Sequence, residues 1–121
     1  LNEKKTVFIV NKSSHDYSSA EDFGNLVFMT QGSLQRFSTS KMFRTFEPFI
    51  KASKTFDYLL LSGMTVMCSV ACAMFAHKHG RINLLIHKPN PRNSGSYQER
   101  VIVMGGEYNE KREDNCLQGS P

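Results

Sequence analysis

A small Rossmann-like α/β sandwich is the fold the sequence predicts. It has about five strands in a mostly parallel sheet, with an antiparallel hairpin at the C-terminal edge. Three observations predict it. Short β-rich runs alternate with helical patterns along the chain, the arrangement that builds parallel sheets. The chain has 121 residues, 40% of them hydrophobic and 21% charged, enough for one domain with its own core but not for two. The last two strand-like runs have no helix between them, so they must pair as a hairpin.

The elements follow in order. Thr6 to Val10 is a continuous apolar run, the pattern of a strand buried on both faces. Ser18-x-x-Glu21 has the spacing of a capping box and predicts a short helix stopped by Gly24. Asn25 to Met29 is the second strand. Lys41 to Ser53 is a helix with Ser40 as cap, burying Phe43, Phe46 and Ile50 on one face and exposing Glu47 and Lys51. Pro48 predicts a kink or a break within it, because proline removes a helical hydrogen bond.

Phe56 to Leu61 is the third and most central strand. After the Ser62-Gly63 turn, Met64 to His79 forms a second long helix, stopped by Gly80. No charged residue precedes His77 in it, so two layers or a second chain must cover it. Arg81 to Ile86 is the fourth strand, His87 to Glu99 a loop rich in Pro, Asn, Ser and Gly, and Arg100 to Met104 the fifth strand. Residues 1–105 form the domain, and 106–121 a charged, disordered tail.

The formal charge of +4 hides an asymmetry. Residues 1–105 carry thirteen bases against seven acids, a net of +6, and 106–121 carry two against four, a net of −2. A basic body attracts polyanions. Arg36, Lys41, Arg44, Lys51 and Lys54 extend that surface, or form the solvent face of the first helix. The three cysteines, Cys68, Cys72 and Cys116, are too few and oddly spaced for a disulfide framework. The N-terminus has no charged-then-apolar leader. The longest near-apolar stretch, Met64 to Ala76, is shorter than the about 20 residues a membrane span needs. These features predict a soluble cytoplasmic protein that does not enter membranes.

Ligands of open parallel sheets bind beyond the carboxyl ends of the strands. Here those ends are polar: Asn11, Lys12, Ser13, Ser14, His15 and Asp16 after the first strand, Thr30, Gln31 and Ser33 after the second. Ser62, Gly63 and Thr65 follow the third strand, and His87 and Lys88 the fourth. The Ser62–Thr65 turn opens a long helix, whose free amides and dipole suit an anion, with Lys12 supplying charge. The plainer reading is that Ser62 caps the helix. Lys88, Arg92 and Tyr97 on the long loop, with Arg100 at its exit, could hold phosphates and stack a base. The plainer reading there is a solvated loop.

His15 and His87 could serve as acid and base, with Lys12 stabilising charge, although His15-Asp16-Tyr17 also fits an exposed turn. His77 and His79 lack the i, i+4 spacing of a helical zinc site, and Cys68 and Cys72 fit a buried helix face. No motif points to a metal or a cofactor.

Three functional readings follow. The first is a non-enzymatic binding protein for nucleic acid or a phosphate-bearing nucleotide. It would use Lys12, Ser14, Ser62, Gly63, Thr65, Lys88, Arg92, Tyr97 and Arg100. The second is a phosphoesterase or nuclease built on His15, His87 and Lys12. The third is a self-associating homo-oligomer, since the apolar second helix needs cover.

Overall fold

The computed structural model describes residues 4–32 and 38–105. The predicted tail 106–121, with Cys116, and the positions Ser33 and Arg36 lie outside the described residues. Five strands form one mixed sheet in the order β2-β1-β3-β4-β5. They are β1 (Thr6–Ile9), β2 (Asn25–Phe28), β3 (Tyr58–Leu60), β4 (Arg81–Asn90) and β5 (Asn93–Val103). β1 pairs in parallel with β2 and β3, β3 pairs in parallel with β4, and only β4–β5 is antiparallel. The α/β class, the mostly parallel sheet and the terminal hairpin are therefore as predicted.

Two helices, α1 (Thr39–Ala52) and α2 (Thr65–His79), cover one face. Their buried side chains Met42, Phe46, Ile50, Met67, Ala71 and Phe75 meet Phe8, Leu59 and Ile82 of the sheet. Among the described residues, the other face carries only a five-residue 3-10 helix, Ser18–Asp22, and its core is Val7, Ile9, Tyr17, Ala20, Tyr58, Leu60, Leu85 and Tyr97. The split follows from handedness. The β1–β2 connection steps one way along the sheet and the α1 and α2 connections step the other, so right-handed crossovers must lie on opposite faces.

Several local expectations are corrected. The Ser18–Glu21 capping box does not form; the Asp16 carboxylate accepts from the Ser18 amide at 2.9 Å instead. α1 begins at Thr39, so Ser40 lies inside it. It also runs unbroken through Pro48. Pro48 and Arg44 are both solvent-exposed, so the carbonyl of Arg44 that loses its partner can be hydrated. Met42 is buried where Phe43 was expected, and Phe43 is 46% exposed. Phe56 and Leu61 lie outside β3 and are exposed.

The largest correction concerns residues 87–99. They are not a loop: β4 and β5 continue as a ribbon with Lys88 opposite Ser96 and Asn90 opposite Asn93. Pro89 falls at the register shift between Lys88 and Asn90, where a missing amide is tolerated, and Pro91 and Arg92 make the turn.

α2 ends as predicted on Gly80, in the left-handed conformation at φ +70°. Beyond its fully buried face, Val66, Cys68, Val70, Cys72, Met74 and Ala76 are partly buried. Thr65, Ser69, Ala73 and His77 meet water. Burial pushes both helical thiols, Cys68 and Cys72, above their ordinary value of 9.0, which disfavours the thiolate form. Lys78 closes the end of α1, its ammonium donating to the carbonyls of Ile50, Lys51 and Ser53 at 2.6–3.0 Å. Among the described residues, no helix is long and apolar enough to cross a membrane.

Candidate functional site

β1 steps to β2 on one side and is flanked by β3 on the other, so the topological switch point lies between the carboxyl ends of β1 and β3. Past β1 the backbone bonds to both neighbours: the Val10 amide donates to Leu60 and the Lys12 amide to Thr30. The Thr30 hydroxyl donates to the Val10 carbonyl at 2.7 Å and lies 3.0 Å from Asn11 Oδ1. Asn11 Nδ2 in turn donates to the Gly32 carbonyl. These bonds fix the loop that follows β1.

Tyr17 joins that loop to β3. It is buried, against the expectation of an exposed His15-Asp16-Tyr17 turn. Its hydroxyl accepts from the Ser13 amide at 3.1 Å and lies 2.8 Å from Ser13 Oγ and 2.7 Å from Ser62 Oγ. Ser62 is thereby engaged in the crevice and does not cap α2, whose cap position is Met64 without a side-chain bond. Gly63 is required here: its φ is +110°, and a Cβ would lie 2.8 Å from Cβ of Asn11.

A cavity of about 830 Å³ opens beside this junction. Ser14, His15, Asp16 and Tyr17 line it from the β1 loop, Ser62 and Gly63 from the β3 end, and His87 and Tyr97 from the ribbon. The ribbon forms a wall because β4 outruns its neighbour. Leu85 is its last partner on β3, and the five residues Ile86 to Asn90 extend about 17 Å farther. The His87 and Tyr97 rings are 5.2 Å apart. The Tyr97 phenol is held above its ordinary value of 10.0 by burial first, then by neighbouring Tyr17 and Asp16.

Of the positions singled out in the sequence, Ser14, His15, Ser62, Gly63, His87 and Tyr97 converge on this cavity. Lys12 does not line it; its ammonium lies 5.1 Å over the Phe28 ring, which packs edge-on to Tyr17. Thr65 is exposed on the first turn of α2. Lys88 and Arg92 are exposed on the projecting ribbon. Arg100 is not at the exit of a loop but within β5, where its guanidinium donates to the Glu99 carbonyl and to Gln98.

Sequence reasoning missed Tyr17 as the organising group. Its one signal was an aromatic residue in an otherwise polar strand-end loop. A larger groove of about 1100 Å³ runs between α1 and α2 over Phe43, Val70, Ala73 and Met74. The strand-end cavity is the stronger candidate, because polar groups from three elements converge there. Among the described residues, no cluster of three potential metal ligands occurs.

Comparison with known proteins places the chain. No curated protein and no solved structure matches it. A family model described as Phage Pam3 gp32-like protein matches residues 5–103, from just before β1 to the last residue of β5. On a match of that extent, the chain belongs to the Phage Pam3 gp32-like protein family.

Proposed function

We propose that the protein is a non-enzymatic binder of nucleic acid or of a phosphate-bearing nucleotide. The observation that carries this reading is the His87–Tyr97 ring pair, set on a projecting ribbon and lining the hydroxyl-rich cavity at the switch point. Rings of this kind stack bases without needing a particular sequence. Hydroxyls and amides at strand ends suit sugar and base edges. The charge for phosphates comes from the cavity's surroundings: Lys88 beside His87, Arg92 at the ribbon tip, and Lys12 over Phe28. Arg100, bonded to its own strand, contributes less.

Fluorescence anisotropy with a labelled single-stranded oligonucleotide tests the reading. Three phosphate contacts predict a slope of log K against log salt of about −2. Replacing Lys88 and Arg92 together by Ala should weaken binding for every sequence and flatten the slope by about 1.4. Saturable binding that ignores salt, or no binding at low salt, contradicts the proposal.

A second reading is favoured by one observation: His15 and His87 line the same cavity. Two imidazoles there suit general acid–base attack on a phosphodiester. Turnover of an oligonucleotide or nucleotide panel that His15→Ala and His87→Ala each abolish would favour it. A bound but uncleaved panel favours the binding reading.

A further inference from the structure

Among the described residues, the outer edge of β5 is a long row of backbone groups with an apolar border. Among the described residues, β5 is last in the sheet and pairs only with β4. Its register with β4 decides which groups face outward. The Met104 amide donates to the Gly80 carbonyl at 2.8 Å, and Arg81 stands opposite Val103. In an antiparallel ladder, alternate residues bond inward. The even residues from Ser96 to Met104 therefore bond to β4. Tyr97, Glu99, Val101 and Val103 turn their N–H and C=O groups outward.

Val101, Ile102, Val103 and Met104 are all exposed, Val103 at 70%. Val101 and Val103 share the face of Leu85, and Ile102 shares the helix-bearing face of Ile82. Free edges are usually blunted by lysine, proline or a bulge. The segment Gln98 to Met104 has no lysine or proline, and the ribbon's register shift lies far away at Lys88.

We infer that this edge takes the β5 of a second copy of the chain, antiparallel, so that two sheets become one. A two-fold axis normal to the sheet keeps each residue on its own face. Facing residues must then share a face, so their numbers must sum to an even value. An axis at Glu99 or Arg100 would set each charge against its own copy, which is unfavourable. An axis at Val101 is the nearest that avoids this. It faces Val101 with Val101, Glu99 with Val103 and Arg100 with Ile102. Each outward pair exchanges two bonds, so about six backbone hydrogen bonds form, with the Arg100 guanidinium giving up or sharing the Glu99 carbonyl it now holds. Val101 and Val103 gain cross-strand neighbours, and the stem of Arg100 can cover Ile102. The choice of a second copy rests on this fit of backbone phase, side-chain face and charge.

Sedimentation equilibrium of the full chain, from low to a few hundred micromolar, tests the inference. A monomer–dimer equilibrium is expected. Val101→Lys should raise the dissociation constant at least roughly tenfold, since the lysine would then face its own copy across the ladder, with circular dichroism unchanged. A second measurement does not depend on how that variant folds. Val101→Cys faces its own copy at a Cα separation of about 5.5 Å, within disulfide reach. Under mild oxidation it should give more cross-linked dimer than Ser96→Cys or the unaltered chain. A chain that stays monomeric overturns the inference. So does a dimer indifferent to the lysine in a folded variant, or equal cross-linking from Ser96→Cys.

Discussion

Two side chains show what single residues contribute. Tyr17 sits in a polar loop, and neither hydropathy nor spacing marks it. It is buried because its ring packs on Phe28 at 5.6 Å while its hydroxyl reaches Ser13 and Ser62. That outcome depends on β1 and β3 being neighbours, which no local pattern records. His79 is the other case. Its Nε2 lies 2.8 Å from Ser53 Oγ and its ring centroid 4.5 Å from that of Phe75.

Burial first, and the Lys78 charge second, hold the His79 pKa below its ordinary 6.5, against an opposite pull from Asp57. The unfolded chain therefore takes up a proton near about 6.5 while the folded chain resists until lower pH. In that window the unfolded state binds more protons, so stability rises with pH. The contribution of His79 is full above about 6.5 and is lost as pH falls through the folded value. Urea unfolding between about pH 5 and pH 8 should show this, and His79→Gln should flatten that part of the curve. Equal slopes in both proteins would count against the assignment.

At the scale of elements, the parts buried by periodicity were readable and the parts set by other forces were not. The apolar runs of β1 and β3 and the Gly80 stop of α2 are sequence-local, and they stand nearly where expected. The ribbon was hidden because Pro89, Pro91 and Gly95 are loop formers. Its pairing is carried by cross-strand hydrogen bonds and by Asx turns at Asn90 and Asn93 rather than by burial.

α1 shows the reverse, a helix that persists through a breaker. Its packing through Met42, Phe46 and Ile50 outweighs the loss at Pro48. The penalty should still be recoverable. Pro48→Ala restores a donor to the Arg44 carbonyl without touching the core, and should stabilise the protein by about 1–3 kcal/mol. Chemical denaturation reads this directly. No gain would mean that α1 has already relaxed around the proline.

For the whole molecule, strand alternation was enough for the α/β class, but strand order was not readable. Order follows from which face each crossover takes, a choice made by tertiary packing. That the strand ends are polar was legible in the sequence. Only the order β2-β1-β3-β4-β5 decides that the β1 and β3 ends meet and that the β4 extension walls their crevice. The same architecture separates stability from the proposed binding. Residues 86 to 90 have no partner on β3, and those from His87 onward are exposed. The tip should therefore be dispensable for folding. Lys88 and Ser96 form an inward-bonded pair by the phase of the ladder, so a two-residue Asn-Gly turn can replace residues 89–95 between them. That shortened chain should keep its thermal midpoint to within about 4 °C. It retains His87 and Tyr97 but loses Arg92 and the overhang. Oligonucleotide affinity should then fall while affinity for a mononucleotide holds, because a single base and its phosphate need only the cavity and Lys88. If both affinities fall together, the tip shapes the cavity itself; if neither does, the ribbon is not the arm that follows the phosphate backbone.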